Sequence, residues 1–99
     1  APEDFTRSYF STVPGDLDAG WSLIAPSMQA VIGGRASYDN FWGSVESVDV
    51  SNVVAVDDQT VQYQITYNFS DRDDSREVKQ LSLQPNNGSY LITSDTTVG

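Results

Sequence analysis

Tyr38-Asp-Asn-Phe-Trp-Gly-Ser-Val-Glu-Ser-Val-Asp-Val50 is the stretch in which the chain changes its period, and with it its secondary structure. In its first half Tyr38, Phe41, Trp42 and Val45 stand at i, i+3, i+4 and i+7, the spacing of one helical face. From Val45 the apolar residues recur at Val48 and Val50 instead, β-branched side chains that suit a pleated, half-buried surface. Upstream of this junction the chain reads as helix, and downstream as strand.

Working toward the N-terminus, Ser37 is a competent N-cap for a short helix over Tyr38 to Gly43. Gly33-Gly34 ends a preceding helix that opens at Pro26, a residue that can begin a helix but cannot continue one. Asp16 caps a further helix carrying Leu17, Trp21 and Ile24 toward one side. The first segment, Pro2 to Val13, has Pro in its first turn with Glu3 and Asp4 beside it, which suits the positive end of a helix dipole. Phe5, Tyr9 and Val13 recur there every four residues, and Pro14-Gly15 stops the pattern.

Toward the C-terminus, Asp57-Asp58-Gln59 predicts a turn after the valine-rich run. Val61, Tyr63, Ile65, Tyr67 and Phe69 then alternate with Thr60, Gln62, Gln64, Thr66 and Asn68, a strand with one buried face. Asp71 to Ser75 reads as an exposed loop, Val78 to Leu83 as the next strand, and Asn87-Gly88 as a tight hairpin leading into Tyr90, Leu91 and Ile92. Helices first and an antiparallel meander of four strands after them define an α+β fold. A chain of 99 residues fits one domain with one modest core, spanning residues 1–99.

Composition narrows the chemistry. Fourteen acidic residues against five basic ones give a formal charge of -9, a field that disfavours nucleic-acid binding. Cys and His are both absent, which removes thiol nucleophiles, disulfides, zinc sites with nitrogen or sulfur ligands and the usual neutral-pH proton shuttle. A serine triad has no base, and Gly33-Gly34 lacks the following residues of a phosphate-binding loop. Asp71-Arg-Asp-Asp-Ser-Arg-Glu77 spaces its acids as a calcium loop does, but Arg76 and Ser82 stand where Gly and Glu are needed. Neither a metal nor a cofactor is expected. No apolar run approaches the roughly 20 residues of a membrane-spanning helix. The chain opens on Ala1 rather than Met, so it is expected to be a piece of a longer protein.

Ser8-Tyr-Phe-Ser-Thr-Val-Pro14, Ala19-Gly-Trp-Ser-Leu-Ile-Ala-Pro26 and Gly33-Gly-Arg-Ala-Ser-Tyr-Asp-Asn-Phe-Trp42 together resemble a domain of actinobacterial membrane proteins. It is similar to the extracytoplasmic C-terminal domain of certain receptor serine/threonine kinases, an NTF2-like domain. The likeness continues through Ser44 to Val50, Val61-Gln-Tyr-Gln-Ile-Thr-Tyr67 and Ser89-Tyr-Leu-Ile-Thr-Ser-Asp95, with Tyr38 to Trp42 its most specific block. Tyr90 stands where a Trp is expected, and the Asp71–Ser75 turn lacks an expected Gly. The resemblance implies an NTF2-like (cystatin-like) cone, in which N-terminal helices pack on a strongly curved four-stranded antiparallel sheet. Such domains are often dimeric through the outer sheet face.

That resemblance implies a non-catalytic extracytoplasmic sensor or interaction domain in signal transduction, binding a small ligand or cell-envelope component. Attachment to the membrane would come through an upstream segment. The alternative within the fold is a small isomerase or dehydratase, which needs a carboxylate base facing the cavity. The buried face of the Val61–Phe69 strand offers Tyr63 and Tyr67 as donors but no acid. Glu46 and Asp49 are expected on the face opposite Val48 and Val50, and neighbours Tyr38 and Asp39 point about 100° apart on a helix. The expected ligand-binding residues are Tyr38, Trp42, Tyr63 and Tyr67, lining an apolar cavity with phenol hydroxyls for orientation. The plainer reading is that these aromatics fill the core.

Overall fold

The computed structural model describes residues 1–98. Four helices, α1 (Pro2–Thr12), α2 (Leu17–Ser22), α3 (Pro26–Ile32) and α4 (Arg35–Gly43), precede four strands. These are β1 (Val45–Asp57), β2 (Thr60–Phe69), β3 (Ser75–Asn86) and β4 (Ser89–Thr97). They form one antiparallel sheet in the order β1-β2-β3-β4, and the helices cover one of its faces. The change of period at Val45 is thus the boundary between the helical and sheet layers of an α+β domain.

The local signals explain most of the element ends. The Asp16 carboxylate accepts the Ala19 N–H at 3.0 Å, capping α2. Gly33 closes α3 with φ of 99°, a left-handed conformation in which a side chain would be strained. Ser37 does not cap α4. That helix begins at Arg35 with Gly34 as its N-cap, and the Ser37 hydroxyl instead reaches back to the Gly33 carbonyl at 3.4 Å. At the β3–β4 turn Asn87 and Gly88 both have positive φ, 50° and 81°, as a type I′ turn requires. The Val13–Pro14 peptide is cis.

The covered face of the sheet is set by β2. Val61, Tyr63, Ile65 and Tyr67 are buried and meet Leu81 and Leu83 of β3 and Ile92 of β4. From the helical layer Tyr9, Phe10 and Val13 of the α1 end and Tyr38 and Trp42 of α4 close onto them. Phe10, outside the every-fourth-residue pattern of α1, is as buried as Trp42 and packs its ring 5.0 Å from Tyr63. The helix therefore buries a face about two residues wide, as packing against a sheet demands.

The sheet has four register shifts, three between β1 and β2 and one between β3 and β4, and two of them decide which side chains face the core. On β1, Ser51 sits opposite Gln64 but Val54 opposite Gln62, so one residue is extra, and Asn52 takes φ of 51° there. Asn tolerates that conformation better than other non-glycine residues. The valines consequently change face: Val48 and Val50 turn inward, whereas Val54 and Val56 are exposed. On β4, Ile92 pairs with Leu83 and Ser94 with Ser82, leaving Thr93 as the extra residue, its hydroxyl bonded to the Ser82 carbonyl at 3.1 Å.

The free edge of β4 is partly closed by the segment between α2 and α3. Ala25 N–H donates to the Ile92 carbonyl and Ile92 N–H to the Leu23 carbonyl, both at 2.8 Å. This short parallel bridge between Ile24 and Ile92 pins the start of α3 over the sheet. It also satisfies edge groups that would otherwise invite another strand.

Candidate functional site

Between the helical layer and the sheet lies a cavity of about 310 Å³. α4 supplies Tyr38, Phe41 and Trp42 to its wall, α3 supplies Met28 and Ile32, and β2 supplies Tyr67. The α4 residues reach it because their i, i+3, i+4 spacing puts all three on the helix face toward the sheet. Phe41 and Trp42 stack edge to face at 5.1 Å, and Phe41 meets Tyr67 the same way at 5.5 Å. Such pairs add about 0.5–1.5 kcal/mol each beyond their buried area. Phe41 keeps 41% of its surface exposed, so the aromatic wall runs out to solvent.

Of the four aromatic residues named from the sequence, Tyr38, Trp42 and Tyr67 share this cavity. Tyr63 is almost fully buried and does not line it; the phenol acts on the cavity indirectly, donating to the Asp95 carboxylate at 2.9 Å. All four are at most 6% exposed, so the same side chains fill the core and form the cavity wall. Tyr38 also meets the Tyr9 hydroxyl at 2.8 Å, and Trp21 packs 5.0 Å from its ring.

The cavity is not simply apolar. Lys79 of β3 and Asp95 of β4 both line it, and Lys79 Nζ lies 3.2 Å from Asp95 Oδ2. Asp95 Oδ1 receives the Tyr63 hydroxyl, so each carboxylate oxygen has a donor. Burial pushes the Asp95 carboxyl above its ordinary value, while Lys79 and the Tyr63 hydrogen bond pull the other way. Burial likewise raises the phenols of Tyr9, Tyr38, Tyr63 and Tyr67. The buried face of β2 carries no acid, as its sequence reads, but β4 brings Asp95 to the cavity.

Lys79 had a signal in the sequence, for it stands two residues before Leu81 and four before Leu83, on their inward phase. Asp95 had none. Alternation from Ile92 puts Ser94 inward, and only the extra residue Thr93 brings Asp95 opposite Leu81 on the covered face. Asp49 is exposed, as its phase on β1 predicts, whereas Glu46, two residues from Val48 and so on its phase, is exposed because the register shifts between Val45 and Ser47. Asp39 turns outward to Arg35 at 2.6 Å, while its neighbour Tyr38 turns inward.

Among the described residues no group of three or more acidic side chains is placed to hold a metal ion. Among them, too, no helix is long and apolar enough to cross a membrane. Comparison of the chain with known protein families, with curated proteins and with solved structures finds no match.

Proposed function

We propose that this chain is a small-ligand-binding module: a non-catalytic sensor or interaction domain with an NTF2-like cone fold. The observation that carries this reading is the aromatic-walled cavity whose one acid, Asp95, already has a donor on each oxygen. A volume of about 310 Å³ is at the lower end of what ligand sites offer. Apolar walls with a few convergent polar groups are how such sites bind and orient a molecule. A carboxylate held by Lys79 and Tyr63 is a recognition element fixed in position, with a donor on each oxygen.

The wider setting rests on the resemblance of Tyr38 to Trp42 and its flanks to receptor kinase domains. On that basis the module works outside the cytoplasm, tethered through an upstream segment of a serine/threonine kinase. It binds a small molecule or cell-envelope component and pairs with a second copy through the outer sheet face. The ligand would act by binding one of two arrangements of the pair more tightly than the other. Thermal melts with cell-envelope metabolites and peptides, together with sedimentation velocity, test this. A rise in melting temperature with at least one of them is expected; no shift and no self-association would contradict it.

A second reading, a small isomerase or dehydratase, is favoured by one observation: Asp95 lines the same cavity as Tyr9 and Tyr38, two residues that carry phenol hydroxyls. A base and a donor around one cavity are what proton transfer needs. Turnover of any bound molecule that Asp95→Asn abolishes while binding survives would establish it in place of the first.

A further inference from the structure

We infer that the cavity selects an uncharged amphiphile whose polar end is a carboxamide, seated on the Lys79–Asp95 pair with its apolar body against Trp42 and Phe41. The inference rests on the ligand-binding reading above and names the chemistry that the site accepts.

Charge is the first reason. Lys79 and Asp95 neutralise each other at 3.2 Å, and their side chains are only 14% and 23% exposed. An incoming carboxylate would have to share Lys79 with Asp95, and an incoming ammonium would have to share Asp95 with Lys79. Either leaves one formal charge without a partner in a poorly solvated place, which is costly. The formal charge of -9 on the chain opposes anions further during approach.

Hydrogen-bond inventory is the second. An ammonium has three N–H donors, and the Lys79 contact with Asp95 occupies one of them. Each Asp95 oxygen has a second lone pair beyond the donor it already takes. The pair therefore presents a donor and an acceptor side by side. A carboxamide presents a complementary acceptor and donor side by side, whereas an ester or ketone answers only the donor. The third reason is the wall: Phe41 and Trp42 line the same cavity as the ion pair, Phe41 with 41% of its surface exposed, and can stack on an apolar or aryl body.

Protein-observed NMR titrations with phenylbutanamide, phenylbutanoate and phenylbutylamine at neutral pH test the selectivity, since the three share one body and differ at the head. The wild-type chain is expected to bind the amide about tenfold more tightly than either charged probe. Lys79→Met is expected to shift the preference to the amine, and Asp95→Asn to the carboxylate. Should either single variant fail to fold, Lys79→Met/Asp95→Leu removes both charges together and is expected to lose the amide preference while retaining its melting transition. A charged probe binding the wild type as tightly as the amide, or a rank order unchanged in the variants, overturns the inference and leaves the cavity a ligand site. Failure of all three probes on the wild type and on the double variant alike overturns the ligand-binding reading itself.

Discussion

Gly20→Ala should destabilise this domain although it improves a helix. Gly20 is buried within α2, where Ala is normally worth about 0.8–1.0 kcal/mol more than Gly. Here the added methyl would collide with Val13 Cγ1 and come within 2.6 Å of the Tyr38 hydroxyl oxygen. Both neighbours are core residues, so the strain cannot be shed into solvent. Overpacking of this kind costs about 1–3 kcal/mol. Displacing the Tyr38 hydroxyl from Tyr9 forfeits about 1 kcal/mol more. With the helix gain subtracted, the net loss is about 2 kcal/mol, or roughly 8–16 °C in melting temperature for a domain of this size. Urea denaturation followed by circular dichroism reads the change directly. Repeating Gly20→Ala in a Tyr38→Phe background, where the hydroxyl is gone, should recover about 1 kcal/mol as a coupling between the two sites. A stabilised Gly20→Ala variant, as propensity alone would give, would refute the packing of α2 against Val13 and Tyr38.

Three further expectations follow from the same contacts. Burial raises the phenols of Tyr9, Tyr38, Tyr63 and Tyr67 above 10.0, so their contribution to stability is present below that pH and is lost as pH rises beyond it. Their phenolate absorbance should therefore appear together with the loss of circular dichroism, and ionisation within an intact fold would contradict the burial. The Asp95 carboxyl is also raised, so the contribution of this group grows as pH falls through its folded value toward 3.8. Asp95→Asn should lack that component when urea midpoints are compared between neutral pH and about pH 4, and an identical pH dependence in both proteins would count against it. At the β3–β4 turn Gly88→Val should cost about 1–2 kcal/mol by thermal melting, because φ of 81° is strained for a β-branched residue.

How much of this was legible in the sequence divides along physical lines. The change of period at Val45, the alternation of Val61 to Phe69 and the Asn87-Gly88 turn are local signals. In each the side chain that determines the backbone also reports it. The aromatic face of α4 was legible for the same reason. Ser37 misled because a good N-cap is only a preference, and the left-handed Gly33 followed by Gly34 let the helix start earlier. The faces of β1 beyond Ser51 were illegible, since a bulge at Asn52 shifts every later side chain by one position.

The polar end of the cavity was hidden by the same device on β4, and its composition bears on what it is for. Without Thr93 as an extra residue, regular alternation would turn Ser94 inward and Asp95 to the outer face, away from Lys79. A bulge interrupts the ladder, and a half-buried ion pair seldom stabilises more than apolar side chains of similar volume would in its place. Leu or Met at these two positions would continue the surface that Leu81 and Ile92 already form. Stability alone therefore does not account for a lysine and an aspartate brought together at the covered face through an irregular strand. The proposed recognition role would account for them: a cavity that is neutral overall yet offers a donor beside an acceptor can distinguish uncharged polar groups from ions, which an all-apolar wall cannot.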